Sequence, residues 1–454
     1  MNKESKKQVK FSKSLSILNL DAAGIDIGSK EHYVAVPEDR CEHAVRSFKT
    51  FTADLYELAN WLKDCDIKTV AMESTGVYWL PLFNILEERG FEVILVNAYH
   101  VKNVPGRKTD VSDCQWLQQL HTYGLLRGSF QPDAKIRELR TYQRQREMLV
   151  RYCSSHIQHI QKVLTLMNIQ LHNVISDITG QSGMRILRSI IQGEKDPDIL
   201  VLNCDKRLRN PLSVIKKSLE GNYTPENLFV LEQAVKLYDY YQKQIAECDN
   251  CIQNLLKSIE SDYNDENVSK LNIEKKDIKV KKKKIINPEM HAEIQRITGV
   301  DLTQIDGLNT TNVLTLISEV GLDMSKWKSE KHFTSWLGLA PNNKISGGKI
   351  LSKNTKKTKN KAGNVFRLAA SSLSRGDSYL SGVYRRFRSR LGPGKANVAT
   401  ARKIAVIFYN TLKYGQEYYD YGSEYFEKKV AERNYKYLKS KAKHLGFELK
   451  PIIS

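Results

Sequence analysis

The sequence predicts a mixed α/β domain at the N-terminus, a helical and coiled-coil region after it, and a mainly α-helical C-terminal domain. Three observations carry this. Up to Gly128, short apolar runs alternate with helical patterns. From Pro132 the apolar residues fall into long three-four spacings. After Pro288 shorter helical patterns resume, separated by glycine turns. Strands that feed helices in this order imply a mixed sheet covered by helices.

The first 18 residues are basic and lack both an apolar core and a small-residue cleavage site, so they read as a disordered arm and not a signal peptide. Residues 19–130 form the first domain. Residues 22–27 and 32–36 read as strands around a Gly-Ser turn, and 45–51 as a third. A helix over 53–62 precedes a short strand at 69–72. A helix over 78–88, a buried strand at 93–96 and a helix over 111–122 follow.

Residues 131–265 are helical. Ile136, Leu139, Val150, Cys153, Ile157, Ile160, Leu164, Met167 and Leu171 share one face, interrupted by Gln143 and Arg146. Leu231, Ala234, Tyr238, Tyr241, Ile245, Cys248, Ile252, Leu255 and Ile259 alternate gaps of three and four without exception. That is a seam of about four heptads, long enough to pair with a second chain as a coiled coil or to lie buried within its own bundle. A Lys-rich linker, 266–289, contains the run Lys281 to Lys284. Residues 290–420 form the C-terminal domain, with helical patterns at 290–298, 311–320 and 332–338. Glycine turns around Gly299 and Gly307 could turn backbone N–H groups toward phosphates. Residues 421–454 form a C-terminal tail.

Charge narrows the partners. Seventy-one Lys and Arg against 51 Asp and Glu leave a net charge of +20 and a pI near 9.4, the footprint of a polyanion binder. No run of 18 apolar residues exists, so no membrane-spanning segment is expected. Seven scattered cysteines fit a reducing, cytoplasmic setting, and Cys248 and Cys251 have no second pair with which to hold zinc. The excess of positive charge concentrates in residues 344–413, which hold 17 Lys or Arg and one acid, Asp377. Lys344, Lys349, Lys353, Lys356, Lys357, Arg385, Arg386 and Arg388 are the expected nucleic-acid contacts there, joined by Arg107 and Lys108 from the first domain. The run from Tyr384 to Arg390 mixes aromatics with arginines, which suits phosphates and exposed bases.

Against this basic background four acids are conspicuous. Asp26 lies inside the first apolar strand, where a charge is costly unless paired or metal-bound. Glu73 ends a later strand. Asp110 and Asp113 are three apart at the start of a helical pattern, hence on one face. If the strands are neighbours and the helix crosses their ends, four carboxylates converge. An all-oxygen set of this kind selects Mg2+ or Mn2+, and two such ions can activate an attacking oxygen and steady a leaving one. Each acid alone has a plainer reading: Asp110 and Asp113 could cap the helix, and Asp26 could bond a turn.

The stretches GIDIGSKEHYVAV, MESTGVYW, VNAYHVKNVPGRKTDVSDCQWL, QLHNVISDITG, WLGLAPNNKISGGKIL and RLAASSL resemble the DEDD transposases of bacterial insertion sequences, the insertion-sequence one-ten family and its eleven-eleven branch. The resemblance runs from about Ala22 to Tyr419. It implies a RuvC-like, ribonuclease-H-like fold for the first domain, with the acidic tetrad on Asp26, Glu73, Asp110 and Asp113. It also implies a serine nucleophile in the C-terminal transposase domain, on Ser346 in the segment KISGGK. Ser371, Ser372 and Ser374 compete by proximity but not by motif. In the family's scheme the serine attacks a phosphodiester to give a phosphoserine link, the tetrad holds magnesium, and strands pass between donor and target DNA. A structured noncoding guide (bridge) RNA encoded by the element chooses the sites, and the active form is a homo-oligomer, a tetramer built from dimers. The alternative that the tetrad alone would allow is a metal-only nuclease, like a Holliday-junction resolvase, with water as nucleophile.

Overall fold

In the computed structural model, residues 16–97, 110–205, 208–260, 287–352, 354–356 and 360–449 are described, the side chains of Asp110 and Ser112 excepted. The chain divides into two compact units, Met1–Gln131 and Pro132–Ser454. Most of the expected basic arm, the Lys-rich linker up to residue 286, and Arg107, Lys108, Lys353 and Lys357 lie outside the described residues.

The first unit is built on five strands: β1 (Ala22–Ile27), β2 (Glu31–Ala35), β3 (Val45–Lys49), β4 (Thr69–Glu73) and β5 (Glu92–Val96), in the order β3-β2-β1-β4-β5. β1, β2 and β3 are antiparallel neighbours, whereas β1, β4 and β5 run parallel. Its described helices are α1 (Thr52–Asp64), α2 (Trp79–Glu88) and α3 (Asp110–Thr122). This mixed sheet with helices is consistent with a RuvC-like fold.

Strand alternation sorts the residues between the two faces. Ala23, Ile25, Ile27, Val70 and Met72 join α1 and α2 in one core. On the opposite face Ala71 and Val96 pack with Leu117 of α3. α3 crosses β1 so closely that a Cβ at Gly24 would lie 2.3 Å from the carbonyl oxygen of Cys114. Only glycine permits that approach. At the far end of α3 the buried His121 meets Thr69 of β4, Nε2 to Oγ1, at 2.8 Å.

The second unit is predominantly helical. α4 (Ala134–Leu166) and α7 (Pro225–Ser258) pack along one another, with α5 (Gln181–Ile191) and α6 (Leu212–Ser218) at one end. The seam on α7 is filled by its own chain. Leu231, Ala234, Ile245 and Ile252 are buried, Ile245 packs with Leu149 and Cys153 of α4, and Tyr241 stacks on His156. The two polar interruptions on α4 are also explained. Buried Gln143 donates to Thr315 Oγ1 at 2.9 Å, and Arg146 pairs with Asp249 of α7. Cys248 and Cys251 are free thiols.

The helices after the linker, among the described residues, are α8 (Pro288–Thr298), α9 (Thr310–Val320), α10 (Glu330–Trp336), α11 (Lys361–Ser372), α12 (Tyr379–Leu391), α13 (Pro393–Tyr414) and α14 (Gly422–His444). Their core gathers Phe333, Phe366, Phe408 and Tyr409 in mutual ring contact. α9 is tied to α4 through Glu319, which accepts from Arg144 at 2.8 Å on each oxygen. Two strands, β6 (Lys344–Ser346) and β7 (Lys349–Ser352), form an antiparallel hairpin at the start of the basic segment, where the sequence analysis assigns no strand. The segment read as a C-terminal tail carries the whole of α14.

Candidate active site

In the first unit, β1 and β4 pair in parallel up to Ile25 and Met72, so Asp26 and Glu73 are the next residues on adjacent strands. Asp26 follows Gly24 by two and Glu73 follows Ala71 by two, so both belong to the face that α3 covers. Both are half-buried. The end of β4 is held by Ser74, whose N–H donates to the Val96 carbonyl at 2.9 Å, and Thr75 Oγ1 donates to Glu73 Oε1 at 3.1 Å.

α3 starts at Asp110, so Asp113 lies within its first turn. Asp113 is half-buried and precedes Cys114, which faces β1 at Gly24. Burial, then the nearby carboxylates of Asp26 and Asp113, push the Cys114 thiol up to about 12. Asp26 and Asp113 therefore act on the same buried atom from strand and helix. Asp110 sits one turn earlier on the backbone, and its side chain lies outside the described residues.

Among the described residues no group of three or more His, Cys, Asp or Glu is gathered closely enough to hold a metal. The donor chemistry nonetheless fits a hard divalent cation, because the acids on this face offer carboxylate oxygen. Of the described residues, Asp26, Glu73 and Asp113 would be the ones to hold it.

Ser346 closes the β6–β7 hairpin and pairs with Lys349 across a two-residue turn. Gly347 and Gly348 take φ of 54° and 76°, the pair of positive values that a type I′ turn requires. A Cβ at either glycine would meet nothing within 4 Å, so the tip is open to a ligand backbone. Lys344, Lys349 and Lys356 are exposed, as are Ile345 and Leu351.

Arg385, Arg386 and Arg388 are exposed on α12, and Arg385 also donates to the Gly376 carbonyl at 2.7 Å. Tyr384 is only 6% exposed, so it serves the core and does not offer the stacking surface expected of it. The glycine turns have internal roles too. Gly299 is the left-handed cap of α8, and a Cβ at Gly307 would lie 2.6 Å from the Ala369 carbonyl oxygen. Sequence reasoning missed Gly24, although an isolated glycine two residues before a strand carboxylate was the available signal.

Residues 23–169 match a family model described as Transposase, that of the IS110-type DEDD transposases, and residues 301–385 match the model Transposase IS116/IS110/IS902 family. The chain carries both domains of an IS110-family transposase. No curated protein matches it. The first match takes in the sheet from Ala23 onward, α3 and all of α4; the second takes in the hairpin bearing Ser346. The transposase acts on DNA, and none of its described helices is long and apolar enough to cross a membrane.

Proposed function

We propose that this transposase moves an insertion sequence by cutting and rejoining DNA through a serine-linked intermediate, at sites chosen by a structured noncoding RNA. The observation that carries the reading is the placement of Asp26 and Glu73 on adjacent parallel strand ends beneath the helix that bears Asp110 and Asp113. A divalent cation held by these carboxylates would supply charge neutralisation at the phosphodiester. Ser346 Oγ forms the new bond to phosphorus, the bond to the leaving sugar oxygen breaks, the serine proton passes to solvent, and the sugar oxygen takes a proton from solvent to leave as a hydroxyl. Rejoining reverses these changes with a sugar hydroxyl as attacker. Lys344 and Lys349 flank the serine and favour the approach of phosphate.

The working form is a homo-oligomer. The α7 seam is occupied by α4, so the contact between copies uses another surface; Val230, Leu237 and Tyr240 form an exposed apolar line on the outer side of α7. Incubation with element-end DNA, guide RNA and Mg2+ tests the reading. A covalent protein–DNA adduct that survives denaturation and requires the cation is the expected result. Hydrolysed ends without an adduct would instead establish the metal-only nuclease.

A further inference from the structure

α14 lies beyond both matched segments, and its two ends differ. The first turns are rooted in α12 and its approach. Ser423 Oγ donates to Asp377 Oδ1 at 2.7 Å, and Asp420 Oδ1 accepts from the backbone N–H of Tyr379 at 2.8 Å. The ring of Phe426 occupies the space over Gly382, where a Cβ would come within 2.7 Å of it. Beyond Val430 this packing ends. Residues 431–441 are all exposed, and Tyr435 and Tyr437 are 45% and 65% exposed. The unpacked part of the helix, 431–444, extends about 20 Å.

A helix of this length with no buried face is marginal in water. Its charges make that worse. Arg433, Lys436, Lys439, Lys441 and Lys443 fall between residues 433 and 444 with no acid among them. Lys436, Lys439 and Lys443 repeat at three and four, so they share one side and repel one another. A polyanion removes both penalties. Duplex DNA presents roughly one negative charge per 1.7 Å of axis, hence about six along the 10 Å that these lysines span. Its major groove, about 12 Å wide, admits a bare helix. A second copy of the same arm would set lysine against lysine.

We propose that α14 is a duplex-DNA-binding arm that grips the phosphate backbone, without regard to sequence, through Lys436, Lys439 and Lys443. This rests on the DNA substrate of the transposase domains, not on the serine or metal chemistry. The test uses the full chain and a short duplex of arbitrary sequence without Mg2+, titrated between about 50 and 200 mM salt. Replacing the three lysines by Gln should make the slope of log K against log salt shallower by about 3, with roughly tenfold or greater weakening. The triple Lys→Arg variant should keep the slope. In the wild type, duplex should slow amide exchange across 431–444. The proposal is overturned by an unchanged slope, or by weakening confined to structured RNA. Loss of binding to anionic vesicles alone, or a lower oligomeric mass with duplex affinity intact, would overturn it equally.

Discussion

Gly24 lies directly beneath Gln118: a Cβ on the strand residue would sit 2.3 Å from the helix residue's backbone nitrogen. Neither backbone can yield without moving α3 off the sheet. Gly24→Val should therefore destabilise the first unit by about 1–3 kcal/mol or more. It should also abolish Mg2+-dependent cleavage, because Asp110 and Asp113 travel with the helix. Thermal unfolding alongside a cleavage assay checks this; a variant with native stability and activity would show that the contact does not position the acids.

Asp113→Asn removes one charge from a half-exposed position and should leave the fold intact. Cleavage should fall on the order of a hundredfold or more, since even outer-shell changes at metal sites cost 10–100-fold. DNA affinity in the absence of the cation should hold or rise slightly, because a repulsive charge is gone. Equal loss of binding and cutting would contradict a metal role.

Ser346→Ala changes a side chain at the exposed tip of a hairpin. Stability should move by less than about 0.5 kcal/mol. The covalent adduct should vanish and strand transfer should drop by on the order of 10⁴-fold or more. Adduct formation that persists in this variant would move the nucleophile elsewhere, with Ser371, Ser372 and Ser374 next to be substituted.

His32 and His121 are buried in the first unit, and burial holds both below the ordinary imidazole value of 6.5. A depressed folded value means that the unfolded chain binds protons first. The stability these neutral rings provide is complete above pH 6.5 and is lost as pH falls toward their folded values. The melting temperature of the first unit should decline between pH 7 and 5, and His121→Gln should flatten that decline. A flat profile in the wild-type protein would remove these two groups from the account.

The sheet was legible because buried strands and crossing helices impose different periods. The limits of β1 follow from Ala22 to Ile27 alone, and every other described element of the first unit is displaced by two residues or fewer at either end. Asp110 and Asp113 could be placed on one helical face from their spacing, but neither the pairing of β1 with β4 nor the closeness of α3 to β1 could, since both depend on tertiary contacts. The hairpin was hidden for a local reason. Its strands are exposed on both sides, so no alternation of apolar and polar residues marks them, and only the Gly347-Gly348 turn betrays them. The α7 seam was correctly periodic, but period alone does not say which chain fills it. The answer lay in Gln143 and Arg146, which looked like defects in α4 and are its contacts with α9 and α7.

The embrace of α4 by α7 has a consequence for synthesis. Arg146 finds Asp249 only 103 positions later, and Lys135 donates to the Ser258 carbonyl 123 positions away. As the nascent chain leaves the ribosome, the sheet of the first unit has all its strands once Val96 has emerged and its covering helix by Thr122. α4 then waits, its apolar flank bare, until α7 arrives, an interval in which long unpaired surfaces are open to misassembly. Birth order thus separates the half that carries the carboxylates from the half that carries the serine.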